Sequence, residues 1–168
     1  MGMDSAKLSA RIRQPGHDQT FRQSETNFVA ALEELLPVAD WIVTDHPRDL
    51  AKMIDGRYGV VPEAGIKLRA NGRVFYFEVK KQGPAGNADE RACKHHTVEF
   101  YKRLAAQTGM PYHAFSTIMC ENLATDDRYT VKHPYFFETD HYLLWRHYDL
   151  QIMSDYLQML TERYIAAP

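Results

Sequence analysis

The stretch Ala64-Gly65-Ile66-Lys67-Leu68-Arg69-Ala70-Asn71-Gly72-Arg73-Val74-Phe75-Tyr76-Phe77-Glu78-Val79-Lys80 decides the fold. Asn and Gly tolerate the left-handed backbone of the tight turns that join antiparallel strands, so Asn71-Gly72 between two β-rich runs predicts a hairpin. Side chains alternate along a strand, which puts Glu78 and Lys80 on one face and Val79 on the other. Pro62-Glu63 stands at the entry to the first strand, fifteen residues before Glu78, and the hairpin folds that separation back so that the two carboxylates converge. Converging carboxylates suit a hard cation such as Mg²⁺, which takes oxygen ligands, keeps several waters and shares phosphate oxygens with a substrate. As an isolated triplet, Glu78-Val79-Lys80 reads more readily as the solvated face of an edge strand.

Working outward, Phe28, Val29, Leu32, Leu35 and Leu36 recur at helical spacing behind Ser24, and Pro37 ends that first helix. Trp41-Ile42-Val43 predicts a short strand, and Pro47 followed by Leu50, Ala51, Met53 and Ile54 a short helix closing at Gly56. Beyond the hairpin, Gly83-Pro84-Ala85-Gly86 breaks regular structure before a helical stretch from Ala88 to Gln107 that stops at Gly109. Residues 111–119 predict a buried strand, 121–133 a polar loop, and Tyr142 to Trp145 a strand or buried turn. A helical stripe at Ile152, Met153, Tyr156, Leu157, Leu160 and Tyr164 supplies a packing face. The mixture is an α/β or α+β domain.

With 168 residues, 45% hydrophobic and 25% charged, the chain is sized for one core: a loose arm over 1–20 carrying Lys7, Arg11 and Arg13, then one domain over 21–168. Cys93 and Cys120 lie 27 apart without a CxxC, which offers neither a disulfide framework nor a cysteine zinc site and points to a reducing cytoplasm. No apolar leader or membrane-length apolar run occurs, so secretion and membrane association are not expected. The net charge of −2 conceals an asymmetry. Residues 66–103 hold nine basic and four acidic side chains, net +5, against −7 elsewhere, and this basic segment coincides with the hairpin. A polyanionic substrate requires such a footprint.

The segment after the hairpin holds Gln82, Asn87, Asp89, Glu90 and Arg91 on a flexible loop entering a helix. Amides pair bidentately with adenine, guanidinium with guanine, and carboxylates accept from exocyclic amines, so these side chains can read base edges. They read equally as a helix cap, with Asn87 at the cap and acids favouring the first turn.

The succession Pro62-Glu63, Glu78-Val79-Lys80-Lys81-Gln82-Gly83, Ala85-Gly86-Asn87-Ala88-Asp89-Glu90-Arg91-Ala92-Cys93-Lys94 and Pro111-Tyr112 resembles the EcoRI/MunI-type restriction endonucleases of the PD-(D/E)xK nuclease superfamily, over about a third of the chain, residues 62 to 115. The resemblance implies an α/β, restriction-endonuclease-like core, a mixed sheet with a catalytic hairpin flanked by helices. It places Glu63 and Glu78 on the metal-binding acids, Lys80 on the catalytic lysine and the Val79 carbonyl among the Mg²⁺ ligands. Gln82, Asn87, Ala88, Glu90 and Arg91 fall on the segment that reads an AATT core, with Lys94 beside them. It further implies a Mg²⁺-dependent homodimer that hydrolyses double-stranded DNA at a palindrome to leave 5′-phosphate ends. Two departures stand out: Glu63 occupies a position the family fills with Asp, and Asp89 one it fills with an apolar residue. Asp55, in Ile54-Asp55-Gly56, is a rival first acid that lacks a preceding Pro. A structure-specific or repair nuclease of the same superfamily, or a non-catalytic DNA-binding module, is the alternative.

Other residues carry weaker signals. His95-His96 adjoin in the helical stretch and offer a phosphate contact, and His17-Asp18 lacks the other residues of a phosphohydrolase set. Tyr129, Tyr135, Phe136 and Phe137 serve packing or base stacking, and neither GxSxG nor a Walker A loop occurs.

Overall fold

Asn71-Gly72 turns the chain as its residues require. Gly72 adopts φ +73° and donates to the Leu68 carbonyl, while the Asn71 side chain accepts from the Arg73 N–H and donates to the Ile165 carbonyl. The computed structural model describes residue 12 and residues 22–83 and 85–168; the arm residues Lys7, Arg11 and Arg13, the His17-Asp18 pair and Pro84 lie outside them. Among the described residues five strands form one sheet in the order β1-β2-β3-β4-β5: β1 (Trp41–Asp45), β2 (Ala64–Leu68), β3 (Val74–Gln82), β4 (Phe115–Glu121) and β5 (Tyr142–Leu144). The first three are antiparallel, β4 and β5 parallel to β3. A parallel neighbour needs a crossover, and residues 83–114 provide it with α2 (Ala88–Ala92), a 3-10 turn (Cys93–His95) and α3 (Val98–Thr108).

One sheet face is covered by α1 (Arg22–Leu35) and α7 (Leu150–Leu160), whose Phe28, Leu32, Met153 and Leu157 pack with Phe75, Phe77, Ile118 and Trp145. Phe28 meets Phe77 edge-on at 5.2 Å, a geometry that aligns ring edge with ring face. A smaller core lies on the other face, where Ala88 and Ala92 of α2 pack with Met119, Leu123, Tyr129 and Phe137. Asp149 caps α7 by accepting from the Gln151 and Ile152 N–H groups, so Asp149→Ala is expected to lower stability by about 1 kcal/mol, read as a shift in the urea midpoint.

Three expectations are corrected. Residues 50–58 form consecutive turns rather than a helix, because Asp55 and Gly56 both adopt positive φ and an Ile54–Tyr58 bridge closes the bend. The helical stretch from Ala88 is broken, since Thr97 leaves helical backbone to cap α3 by accepting from the Phe100 N–H. The polar region 121–133 is not a loop. It holds α4 (Asn122–Thr125) and α5 (Asp127–Thr130), followed by α6 (His133–Phe136), because buried Leu123, Ala124 and Tyr129 anchor successive turns and Asp126 caps α5. Gly109 ends α3 at φ +72° as expected.

Candidate functional site

The site forms where β2 stops and β3 continues. Ala64 opposite Phe77 is the last rung between them, and Glu63 and Glu78 are the next residues past it on the two strands. Beyond Ala64 opposite Phe77 the β2 edge of β3 has no strand partner among the described residues. The Glu63 side chain takes part of it, with Oε2 accepting from the Val79 N–H at 3.0 Å. A strand residue sends its N–H and C=O toward the same edge, so the Val79 carbonyl leaves beside the Glu63 carboxylate.

Glu78 projects from the α2 face and is buried. Its Oε1 lies 2.8 Å from Lys80 Nζ, and its Oε2 accepts from His95 Nδ1 at 2.5 Å. His95, at the end of the 3-10 turn, is wedged against Phe100 and Phe115, and its carbonyl accepts from His113 Nε2. Burial alone would push Glu78 upward; the His95 hydrogen bond and charge, with Lys80 behind them, outweigh it and hold the carboxyl below its usual range. Glu63 goes the other way. Burial first, then the Glu78 charge, raise it from 4.5 to about 7 despite the Val79 hydrogen bond, with Glu25 of α1 adding a weaker repulsion. The pair thus divides, with Glu78 held below the usual carboxylate range and Glu63 raised to about 7.

This donor set fits a hard divalent cation. Two carboxyl groups meet at one edge beside a carbonyl, one of them raised to about 7 by burial and by the charge of the other. Among the described residues no three His, Cys, Asp or Glu side chains converge on one point, so an ion would complete its shell with water or substrate oxygens, as Mg²⁺ commonly does.

The structure separates the expected recognition residues into two groups. Asn87, Glu90, Arg91 and Lys94 are exposed around α2. Gln82 and Ala88 are engaged in shaping the segment: Gln82 Nε2 donates to the Ala85 carbonyl, its Oε1 accepts from the Ala88 N–H at 3.3 Å, and Ala88 is buried in the smaller core. Gly86 sits at φ +146° directly over the Gln82 amide, where any Cβ would collide with it. Asp55, the rival first acid, is exposed on the turn closed by the Ile54–Tyr58 bridge. His96 binds the Thr117 hydroxyl at 2.8 Å. The contact of His95 with Glu78 escaped sequence reasoning because the two lie 17 residues apart and only the crossover over β3 joins them.

A mixed five-stranded sheet flanked by helices, with its acids at the vacated edge of the central strand, defines an α/β core of the restriction-endonuclease kind. Comparison with solved structures places it beside the MunI restriction endonuclease, solved in complex with cognate DNA. The TM-score is 0.70 at 18% identity, covering 95% of this chain and 94% of that one. At this identity the likeness is one of fold. No family model and no curated protein matches the sequence.

Among the described residues no helix is long and apolar enough to cross a membrane, and Cys93 and Cys120 are free thiols.

Proposed function

We propose that the chain is a type II restriction endonuclease: a Mg²⁺-dependent, cytoplasmic homodimer that cuts duplex DNA at a short palindrome containing AATT and leaves 5′-phosphate and 3′-hydroxyl ends. The reading is carried by the gathering of Glu63, Glu78 and Lys80 at the vacated edge of β3, in a fold similar to that of a restriction endonuclease solved with cognate DNA.

Glu63, Glu78 and the Val79 carbonyl would hold Mg²⁺, which when bound supplies Lewis-acid stabilisation of the charge that develops on the scissile phosphate. His95 keeps the Glu78 carboxylate ionised and aimed. Lys80, on the same strand face as Glu78, holds a phosphate oxygen and orients the attacking water. Water adds to phosphorus, its proton passes to solvent, and the P–O3′ bond breaks as the leaving oxygen takes a proton. Asn87, Glu90 and Arg91 meet base edges, Lys94 meets backbone phosphate, and Gln82 with Ala88 fixes the segment that carries them. A palindrome presents the same half-site twice, so a second copy completes the complex.

Digestion of a sequenced plasmid in Mg²⁺, with fragment ends mapped, is expected to give discrete fragments ending at one AATT-containing sequence. Nicks or progressive degradation would assign a structure-specific or repair nuclease instead. Sequence-preferring binding without any cleavage would assign a non-catalytic DNA-binding module.

A further inference from the structure

Asp89 is the second residue of α2 and fully buried, an uncommon place for a carboxylate. Neither of its oxygens has a hydrogen bond of ordinary geometry, and its charge is met by Lys132, whose Nζ lies 3.1 Å from Oδ2. The same ammonium lies 3.6 Å from Glu90 Oε1. Lys132 stands between α5 and α6, its Nζ 5.4 Å from the centre of the Tyr129 ring and 5.9 Å from that of Phe136. The close contact with Asp89 first, then the charges of Asp89 and Glu90, raise the ammonium above its ordinary value, so it remains charged. Tyr129 Oη and His133 Nδ1 are likewise buried without hydrogen-bond partners and do not serve Asp89.

A five-residue helix does not sustain itself and depends on what it packs against. The apolar part of that support is Ala88 and Ala92 against Tyr129, Leu123 and Phe137; the ionic part is Lys132. Removing one partner of a buried pair leaves an uncompensated charge, which costs far more than exchanging both partners for neutral groups. Without Lys132, Asp89 regains hydration only if the first turn of α2 lifts from its seat, carrying Asn87, Glu90 and Arg91 with it.

We propose, resting on the endonuclease reading above, that Lys132 is a positioning residue for DNA specificity: it neutralises Asp89 beneath α2 and holds Glu90 at the rim, which fixes the height and direction at which Asn87, Glu90 and Arg91 meet the bases. It acts through Asp89 and Glu90 rather than by touching DNA.

Lys132→Met is compared with Asp89→Asn/Lys132→Met, which removes both charges while keeping shape. Two readouts are taken: the ratio of cleavage rates on the cognate duplex and on one with a single changed base pair, and amide hydrogen exchange of residues 88–93. Lys132→Met is expected to lose about 100-fold in discrimination, the scale of an ångström-sized misplacement, and to exchange at least about tenfold faster over α2. The double variant is expected to recover both. If Lys132→Met does not fold, recovery of folding and discrimination in the double variant gives the same support. Unchanged discrimination and exchange in Lys132→Met would overturn the proposal. So would a double variant that recovers exchange but not discrimination, which makes Lys132 a direct DNA contact. A wild-type protein with no sequence preference at all overturns the endonuclease reading instead, so the two failures are distinct.

Discussion

Glu78→Gln and Lys80→Ala are each expected to lower Mg²⁺-dependent cleavage by about three powers of ten or more while cognate binding in Ca²⁺ survives. The size follows from the kind of interaction lost, since cation and ammonium stabilisation of a phosphoryl transition state amounts to several kcal/mol, and each factor of ten in rate is about 1.4 kcal/mol. Glu78→Gln keeps the shape of the side chain and a hydrogen-bonding oxygen for His95 but removes the negative charge that Lys80 and His95 hold in place. Lys80→Ala leaves that charge and removes the ammonium from the same strand face. In the endonuclease reading binding rests on the exposed residues around α2 and on the other basic side chains of residues 66–103, which both substitutions leave in place. Rates from single-turnover cleavage and affinities from filter binding in Ca²⁺ check the split. Undiminished cleavage by either variant would remove that residue from the proposed chemistry, and equal loss of binding would turn it into a DNA contact.

The site exists because two neighbouring strands differ in length. β3 runs five residues beyond the last rung it shares with β2, from Glu78 to Gln82, and over those residues β4 is its one strand partner among the described residues. An unpaired strand edge in a protein interior leaves backbone groups needing partners, and here the Glu63 carboxylate supplies one. The carboxylate crowding and the Val79 carbonyl at that edge both follow from that one overhang.

The hairpin and its acids were legible because their signals are local. Asn71-Gly72 fixes the turn, the turn fixes the register, and the register brings Glu63 and Glu78 to the two strands just past their last rung. The first helix, β1 and the Gly109 stop were legible for the same reason. What escaped the sequence depends on contacts across the chain. His95 reaches Glu78 only after the crossover returns over β3, and Asp89 finds Lys132 some forty residues on. The region 121–133 looked like a loop because its polar surface outnumbers the few apolar residues that anchor it, and tertiary packing rather than propensity makes its turns helical. Asp89 shows the limit most clearly. As a residue type it belongs to a solvated first turn, and only its burial reveals a different task.

Glu63 sets the second large expectation, a dependence of metal-free stability on pH that Glu63→Gln removes. Its folded value of about 7 stands above the ordinary 4.5, because the carboxyl is removed from water and faces Glu78. A carboxyl raised by folding binds its proton more tightly in the folded chain, so this group costs nothing at low pH. The cost of ionising it in place grows as pH rises from 4.5 to about 7 and is complete above that. The full effect is about 3 kcal/mol, from about 1.4 kcal/mol for each pH unit between the two values. Buried His96 and His113, depressed by burial to about 3 and about 4, act oppositely below 6.5, since they stay neutral when folded and charge when unfolded. The expectation is therefore placed on the difference between two proteins that share those histidines. In EDTA, urea unfolding of wild type and Glu63→Gln should agree near pH 4 and diverge with rising pH, the variant becoming the more stable by a few kcal/mol at pH 8. Added Mg²⁺ should narrow the gap by stabilising wild type alone, with uptake at pH 6 accompanied by proton release, visible as a calorimetric heat that depends on the buffer. Parallel pH curves for the two proteins would mean that Glu63 is ionised and solvated at neutral pH, and would remove the physical reason for placing a cation between it and Glu78.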